Sequence, residues 1–215
     1  MVPTAPSGPQ PSALSPQPSG VLGGTFDPIH LGHLLAAESA REQLGLARVA
    51  FVPVGDPPHK RGRAISPVAD RLELVRRAVA DHPAFCLSLA DVNRPGPHFT
   101  VEMLPRVRAE LGGTGDLYLI LGADQIEDLP TWHRPDLLLE RCRIAAVARP
   151  GHPLDLAAVS MHLPGLAERT VVVEMPLIGI SGTDLRRRAR DGRSLRYLVP
   201  PAVEAYIAER GLYRA

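Results

Sequence analysis

A chain of 215 residues is long enough for one well-packed domain with a tail, or at most two small ones. Its hydrophobic content of 45% is that of a globular protein, and a net charge of +1 gives no basic field calling for nucleic acid. No apolar run approaches membrane-spanning length and no N-terminal signal-peptide core is present. Cys86 and Cys142 lie too far apart for a metal or redox motif and read as buried free thiols, so the expected location is cytoplasmic.

Residues 1–19 are rich in Pro and Ser, with Val2 and Leu14 almost the only large apolar side chains. Such a segment cannot bury enough surface to offset ordering entropy, and it is expected to be a disordered extension. A single domain is expected over 20–215, ending in a helical segment. It opens with VLGGTFDPIHLGH, Val21 to His33. This run passes from an apolar strand through Gly23-Gly24 and a turn at Asp27-Pro28 into an apolar-periodic segment, the grammar of strand, tight loop and helix. The glycines let a ligand approach the backbone, and free N–H groups at the next helix start favour an anion. His30 and His33, at i and i+3, are expected to share a helix face, with Gly32 keeping the turn uncluttered. The stretch reads as a phosphate site fitted with two imidazoles. A zinc pair would need a further ligand from elsewhere.

A helix is expected over Leu34–Leu44 with Gly45 as its stop, then a buried strand over Arg48–Val54. The following loop, GDPPHKRGR, carries His59, Lys60, Arg61 and Arg63. It is either a solvated basic loop or a ligand-binding loop at the end of a parallel strand. Lys60 is the single lysine among 24 basic residues, a place where a compact ammonium suits better than a guanidinium fork. Ser66-Pro67 caps a helix over Val68–Ala80. A third strand is expected over Phe85–Val92. A helix follows over Thr100–Leu111, in which Pro105 predicts a kink or a late start. Asp116–Leu121 reads as a fully buried strand closed by Gly122-Ala123-Asp124. Pro135 opens a helix to Arg141, and Arg143–Ala148 is a fifth strand. Gly151–Glu168 suggests only a short helix between loops. Thr170–Glu174 is a sixth strand, ISGTDLR runs from a loop into a helix bearing Arg186, Arg187, Arg188 and Arg190, and Val199–Arg210 closes the chain. Strands alternating with helices predict an α/β fold, a Rossmann-like doubly wound parallel sheet with helices on both faces. The first βα loop and the loop at Ile180 would then meet at the carboxyl edge of the sheet.

Three clusters could converge there: His30/His33, His59/Lys60 and Ser181/Thr183/Arg186. Three phosphate-capable clusters suit a reaction between two phosphate-bearing substrates. In nucleotidyl transfer a phosphate oxygen attacks the α-phosphorus of a triphosphate and pyrophosphate leaves in line. That nucleophile is already ionised at neutral pH, so the protein must align anions and stabilise charge.

GGTFDPIHLGH resembles the signature of the HxGH nucleotidyltransferase superfamily. VPVGDPPHK, HFT at His98–Thr100, GADQIEDLPTWH, the RPG turn, ISGTDLR and YLVPPAVEAYI together resemble bacterial nicotinate-nucleotide adenylyltransferases, from Gly20 to Tyr213. The resemblance implies adenylyl transfer from ATP to nicotinate mononucleotide, giving nicotinate adenine dinucleotide, with Mg²⁺ arriving on ATP and not in a dedicated protein site. It implies that His30 and His33 contact ATP phosphates and that Gly23, Gly24, Thr25 and Phe26 line the ATP site. Ser181, Thr183 and Arg186 would hold the leaving phosphates, and Lys60 with His59 would grip the acceptor phosphate. Thr100, Trp132 and His133 would surround the nicotinate ring, with backbone N–H groups near Thr100 and Trp132 for its carboxylate. An indole face also suits a cationic pyridinium. Asp124 would be a polar organiser near the nucleotides, or a helix N-cap. His30, His33, Lys60 and Arg186 form the implied catalytic set. One departure stands out: the family pattern ISSTxIR has Gly182 in place of its second Ser here. Alternatives are the same chemistry on nicotinamide mononucleotide or another phosphate acceptor, and a non-catalytic nucleotide sensor. The expected partners are the two nucleotides, with no nucleic acid and no membrane; self-association stays open.

Overall fold

The computed structural model describes residues 17–55, 65–112, 114–148, 154–176 and 178–214. Among them, β1 (Ser19–Gly24), β2 (Arg48–Pro53), β3 (Phe85–Leu87), β4 (Leu117–Gly122), β5 (Arg143–Ala148) and β6 (Thr170–Glu174) form one sheet in the order β3-β2-β1-β4-β5-β6. Every neighbouring pair is parallel. This is the doubly wound order, in which the connections diverge on either side of β1 and β4 and leave a crevice at their carboxyl ends.

The strands alternate their side chains between two apolar layers, as a sheet buried on both faces must. Leu22, Val49, Phe51, Ile120, Ala145 and Val147 face one layer, which includes buried residues of α1 (Leu31–Leu44), α2 (Val68–Val79), α8 (Gly182–Arg190) and α9 (Pro201–Arg210). Val21, Ala50, Val52, Leu119, Leu121, Ile144 and Ala146 face the other, built with α3 (Thr100–Leu111), α4 (Ala123–Asp128), α5 (Pro135–Arg141), α6 (Leu156–Ser160) and α7 (Leu166–Arg169). Gly20 is closely packed: a Cβ there would lie 2.9 Å from Leu46 Cδ1 and 3.2 Å from Ile120 Cδ1 and Val49 Cγ2, so these side chains would have to shift.

Two departures from the expected boundaries have a physical reason in the contacts. β1 begins at Ser19, inside the segment predicted to be disordered, because backbone pairing needs no large side chain. Ser19 N donates to Asp116 O at 2.9 Å, and Ala47 N donates to Pro18 O at 2.9 Å. Residues 1–16 of that segment lie outside the described residues. The third strand ends at Leu87 instead of Val92: Asp91 and Arg94 turn inward as a buried ion pair at 2.8 Å, and Asn93 N bonds back to Leu89 O at 3.0 Å. α3 keeps its expected span of Thr100–Leu111, without the late start that Pro105 suggested. A proline at 105 leaves the carbonyl of residue 101 without its helical donor, and Arg141 Nη1 supplies one to Val101 O.

Candidate active site

The signature loop leaves β1 through Thr25 and Phe26, the latter in the left-handed region at φ 50°. Phe26 is buried, and its ring packs 3.2 Å from where a Cβ on Gly24 would fall. His30 is not on the helix face predicted for it. It is the N-cap of α1, in extended conformation, and His33 is the third helical residue. The expectation that both rings point the same way holds through capping geometry: they stack with centroids 3.7 Å apart. Phe26 meets His33 edge-on at 5.1 Å. His30 N–H donates to His33 Nδ1 at 3.2 Å, so the neutral ring of His33 carries its proton on Nε2, as a donor. Gly32 is what admits the buried His30 ring, since a Cβ there would lie 3.0 Å from His30 Nδ1.

Two adjoining clefts open at the β1/β4 crevice. One, of about 330 Å³, has an apolar wall that includes Leu22, Ile120, Val147 and Ile178, and polar groups at His30, His33, Asp124 and Ser181. The other, of about 180 Å³, is lined by Thr25, Phe26, Asp27, His30, His33, Thr183 and Arg186, among others. His30, His33 and Gly182 belong to both. Ser181 caps α8, its Oγ accepting from Asp184 N at 3.2 Å. The N-terminus of α8 therefore faces the second cleft through Gly182 and Thr183, with the partial positive charge of a helix start. Arg186 Nη1 donates to Asp27 O at 2.6 Å and Nη2 to Thr183 Oγ1 at 3.3 Å, which aims the guanidinium across the same cleft. At Gly182, a Cβ would sit 3.1 Å from Asp27 O, so the departure from Ser relieves a tight approach of α8 to the signature loop. Asp124 lies in the first turn of α4, whose N-cap is Gly122, so the N-cap reading of Asp124 is corrected.

The remaining predicted residues lie elsewhere. Thr100 opens α3, and by position its N–H has no intrahelical acceptor. His133 stacks on Phe99 with centroids 4.1 Å apart, and half-buried Trp132 packs on the apolar layer beside α3. Thr100, Trp132 and His133 thus line neither cleft. The Trp132 N–H donates to Leu129 O at 3.0 Å, closing the 3-10 turn Leu129–Thr131. His59 and Lys60, with the loop bearing them, lie outside the described residues, as does the Arg149-Pro150-Gly151 turn. Burial pushes the Cys142 thiol up to about 12 and also raises that of Cys86, which suits inert thiols.

Sequence reasoning missed three supporting residues, Asp27, Arg71 and Gln43. Asp27, 6% exposed, accepts from Tyr213 Oη at 2.8 Å and from Ser66 N at 3.3 Å. Arg71, 2% exposed, donates to four backbone carbonyls around the signature loop. Gln43 pairs both ways with the peptide of Glu174, at 2.7 and 3.0 Å, at the root of the segment that carries Met175 and Ile178 to the cleft wall. A signal existed for Arg71: it sits three and four residues before Leu74 and Val75, on the face that the apolar spacing assigns to the core.

The cytidylyltransferase-like family model matches residues 21–188. The chain is 46% identical over 195 residues to a probable nicotinate-nucleotide adenylyltransferase of Thermomicrobium roseum, covering 91% of each chain. It is 46% identical over 201 residues to a protein of the same description from Roseiflexus sp., covering 94% of this chain and all of that one. Among solved structures, it superposes on Plasmodium falciparum nicotinic acid mononucleotide adenylyltransferase complexed with NaAD at a TM-score of 0.71 and 17% identity, covering 92% of this chain and 97% of that chain. That likeness is one of fold. The signature run, the crevice it occupies and these relatives agree: the chain belongs to the nicotinate-nucleotide adenylyltransferase family of cytidylyltransferase-like nucleotidyltransferases.

Proposed function

We propose that the protein transfers the adenylyl group of ATP to nicotinate mononucleotide, giving nicotinate adenine dinucleotide and pyrophosphate. The observation that carries this reading is the joining of the two clefts at one stacked pair, His30 and His33, opposite Arg186 and the N-terminus of α8. The first cleft suits adenosine, with apolar walls and a few polar groups. The second suits phosphates, being lined by imidazole, hydroxyl and guanidinium donors. A phosphate oxygen of the mononucleotide attacks the α-phosphorus, the bond from that phosphorus to the bridging oxygen breaks, and pyrophosphate departs with the electron pair. No base is needed, since the nucleophile is ionised. His33 Nε2–H and the His30 ring stabilise charge on the α-phosphate, while Thr183, Arg186 and backbone N–H groups of α8 hold the leaving phosphates. Mg²⁺ enters as part of the ATP substrate and supplies charge neutralisation on the phosphate oxygens.

The relation to the adenylyltransferase relatives supports the pyridine substrate. The start of α3 offers N–H groups to the nicotinate carboxylate at the positive end of a helix, and Lys60 with His59 takes the acceptor phosphate. The test is a parallel assay with ATP and Mg²⁺ in which nicotinate mononucleotide, nicotinamide mononucleotide and phosphopantetheine are offered separately. Preference for the nicotinate form by at least about 100-fold is expected, about 3 kcal/mol of discrimination. Equal use of acid and amide would remove the carboxylate site. ATP binding without turnover on any acceptor would replace the enzyme with a nucleotide sensor.

A further inference from the structure

Arg71 is a buried cation whose hydrogen bonds, among the described residues, go to backbone carbonyls. It lies in the first turn of α2 at 2% exposure. Nη1 donates to Thr25 O at 3.0 Å and to Val54 O at 2.8 Å, Nη2 to Gly55 O at 3.0 Å, and Nε to Ser66 O at 3.1 Å. Thr25 belongs to the loop that lines the phosphate cleft. Val54 and Gly55 follow the end of β2, and Ser66 precedes α2. One guanidinium thus joins the ATP side of the site to both roots of the β2–α2 connection.

Burying a charge among carbonyls is costly unless geometry satisfies its donors. Desolvation lowers the Arg71 pKa, and the nearby Asp27 carboxylate opposes that shift. Arginine stays charged in such a place where lysine would not reliably do so. The bound peptides are also held from their other sides. Gly55 N donates to Asp91 Oδ2 at 3.0 Å, and a Cβ on Gly55 would strike the His98 ring at 2.5 Å. Ser66 N donates to Asp27 Oδ2 at 3.3 Å, and Val54 N to Gly24 O at 2.9 Å. Each root is fixed by a donor on one side and an acceptor on the other, and Arg71 is the group common to all of them.

We propose that Arg71 is a positioning residue that holds both roots of the β2–α2 connection in register with the ATP loop at Thr25, so that its fork sets the alignment of the two reacting phosphates without touching either. This rests on the functional reading above. A fork with three nitrogens in one plane can hold carbonyls from three chain segments at once. A lysine ammonium, one point donor, cannot span Thr25, Gly55 and Ser66 together.

The experiment compares wild type with R71K. Steady-state kinetics are measured with nicotinate mononucleotide, and binding of a non-hydrolysable ATP analogue is measured without acceptor. Hydrogen exchange is followed in peptides covering 54–55 and 65–67 with and without the analogue. In R71K, kcat should fall about 100-fold, as misaligned reactants lose effective molarity. Analogue affinity should stay within about threefold, because the His30–His33 stack and α8 are intact. In wild type the analogue should slow exchange at the two roots, and in R71K it should not. A folded R71K with wild-type kcat, or one that loses analogue binding as steeply as turnover, overturns the proposal. If R71K does not fold, the wild-type exchange data decide: roots that ignore the analogue overturn it, and protected roots support it. Failure of wild type to use the mononucleotide would reject the functional reading alone, since the exchange measurement needs no acceptor.

Discussion

Gly32 illustrates how one missing methyl sets the geometry of two histidines. It is the second residue of α1, where alanine is the better helix former by about 1 kcal/mol. Yet a Cβ there would press on the His30 ring at 3.0 and 3.1 Å. That ring is buried and stacked on His33, so it can yield only by disturbing the stack. Stability and activity should therefore separate in G32A. The melting point should stay within a few degrees of wild type, as propensity offsets the contact, while kcat falls at least about 10-fold, or about 1.4 kcal/mol in the transition state. Thermal unfolding beside steady-state kinetics checks this. Undiminished turnover would mean that the stack is not part of the catalytic geometry.

At the level of elements, α2 is joined to α9 along one seam of charge. Asp70 accepts from Tyr206 Oη at 2.7 Å and from Arg210 Nε at 3.3 Å. Arg77 lies over the Tyr206 ring at 4.5 Å and bonds Glu73 at 2.7 Å, and Arg76 bonds the same carboxylate at 2.6 Å. Hydrogen bonds from Arg76 and then Arg77 hold Glu73 down at about 2, below the ordinary carboxylate range. A depressed folded pKa stabilises above the unfolded value near 4.5 and loses that stabilisation as pH falls through about 2. Glu73→Gln should thus cost about 1 kcal/mol at pH 7, the scale of partly exposed ion pairs. The gap to wild type should close as denaturation is repeated from pH 5 down to the acid limit. A gap independent of pH would assign the loss to packing and not to charge. The same helix shows what periodicity misses: spacing places α2 and sets Arg71 on its core face, but it names no partner for Asp70 or Arg71, because those partners lie in α9 and in carbonyls far along the chain.

The molecule as a whole was legible wherever the code is local. Alternating apolar strands and helix stops gave the doubly wound sheet, and the uninterrupted signature located His30 and His33. Two kinds of information were not local. β3 ends early because Asp91 and Arg94 pair inward, which no strand propensity encodes. The support of the site comes from residues distant in sequence, of which Tyr213 and Asp27, 186 positions apart, are the extreme case. That bond brings the chain's end onto the signature loop, where Asp27 also holds Ser66 N through its carboxylate and Arg186 through its carbonyl. Burial, and then the Asp27 carboxylate, push the Tyr213 hydroxyl well above its ordinary value of 10. The folded state therefore keeps a proton that the unfolded chain releases. The stabilisation is complete below pH 10 and declines as pH rises above it, by about 1.4 kcal/mol per pH unit for one proton. Tyr213→Phe removes both the donor and the titration. At pH 7 it should destabilise by about 1–3 kcal/mol, since Asp27 is left buried with one acceptor site unfilled. Between pH 10 and 11 its denaturation free energy should fall less steeply than that of wild type. Equal alkaline slopes for the two proteins would show that the hydroxyl does not hold its proton against Asp27, and that the end of the chain does not brace the signature loop.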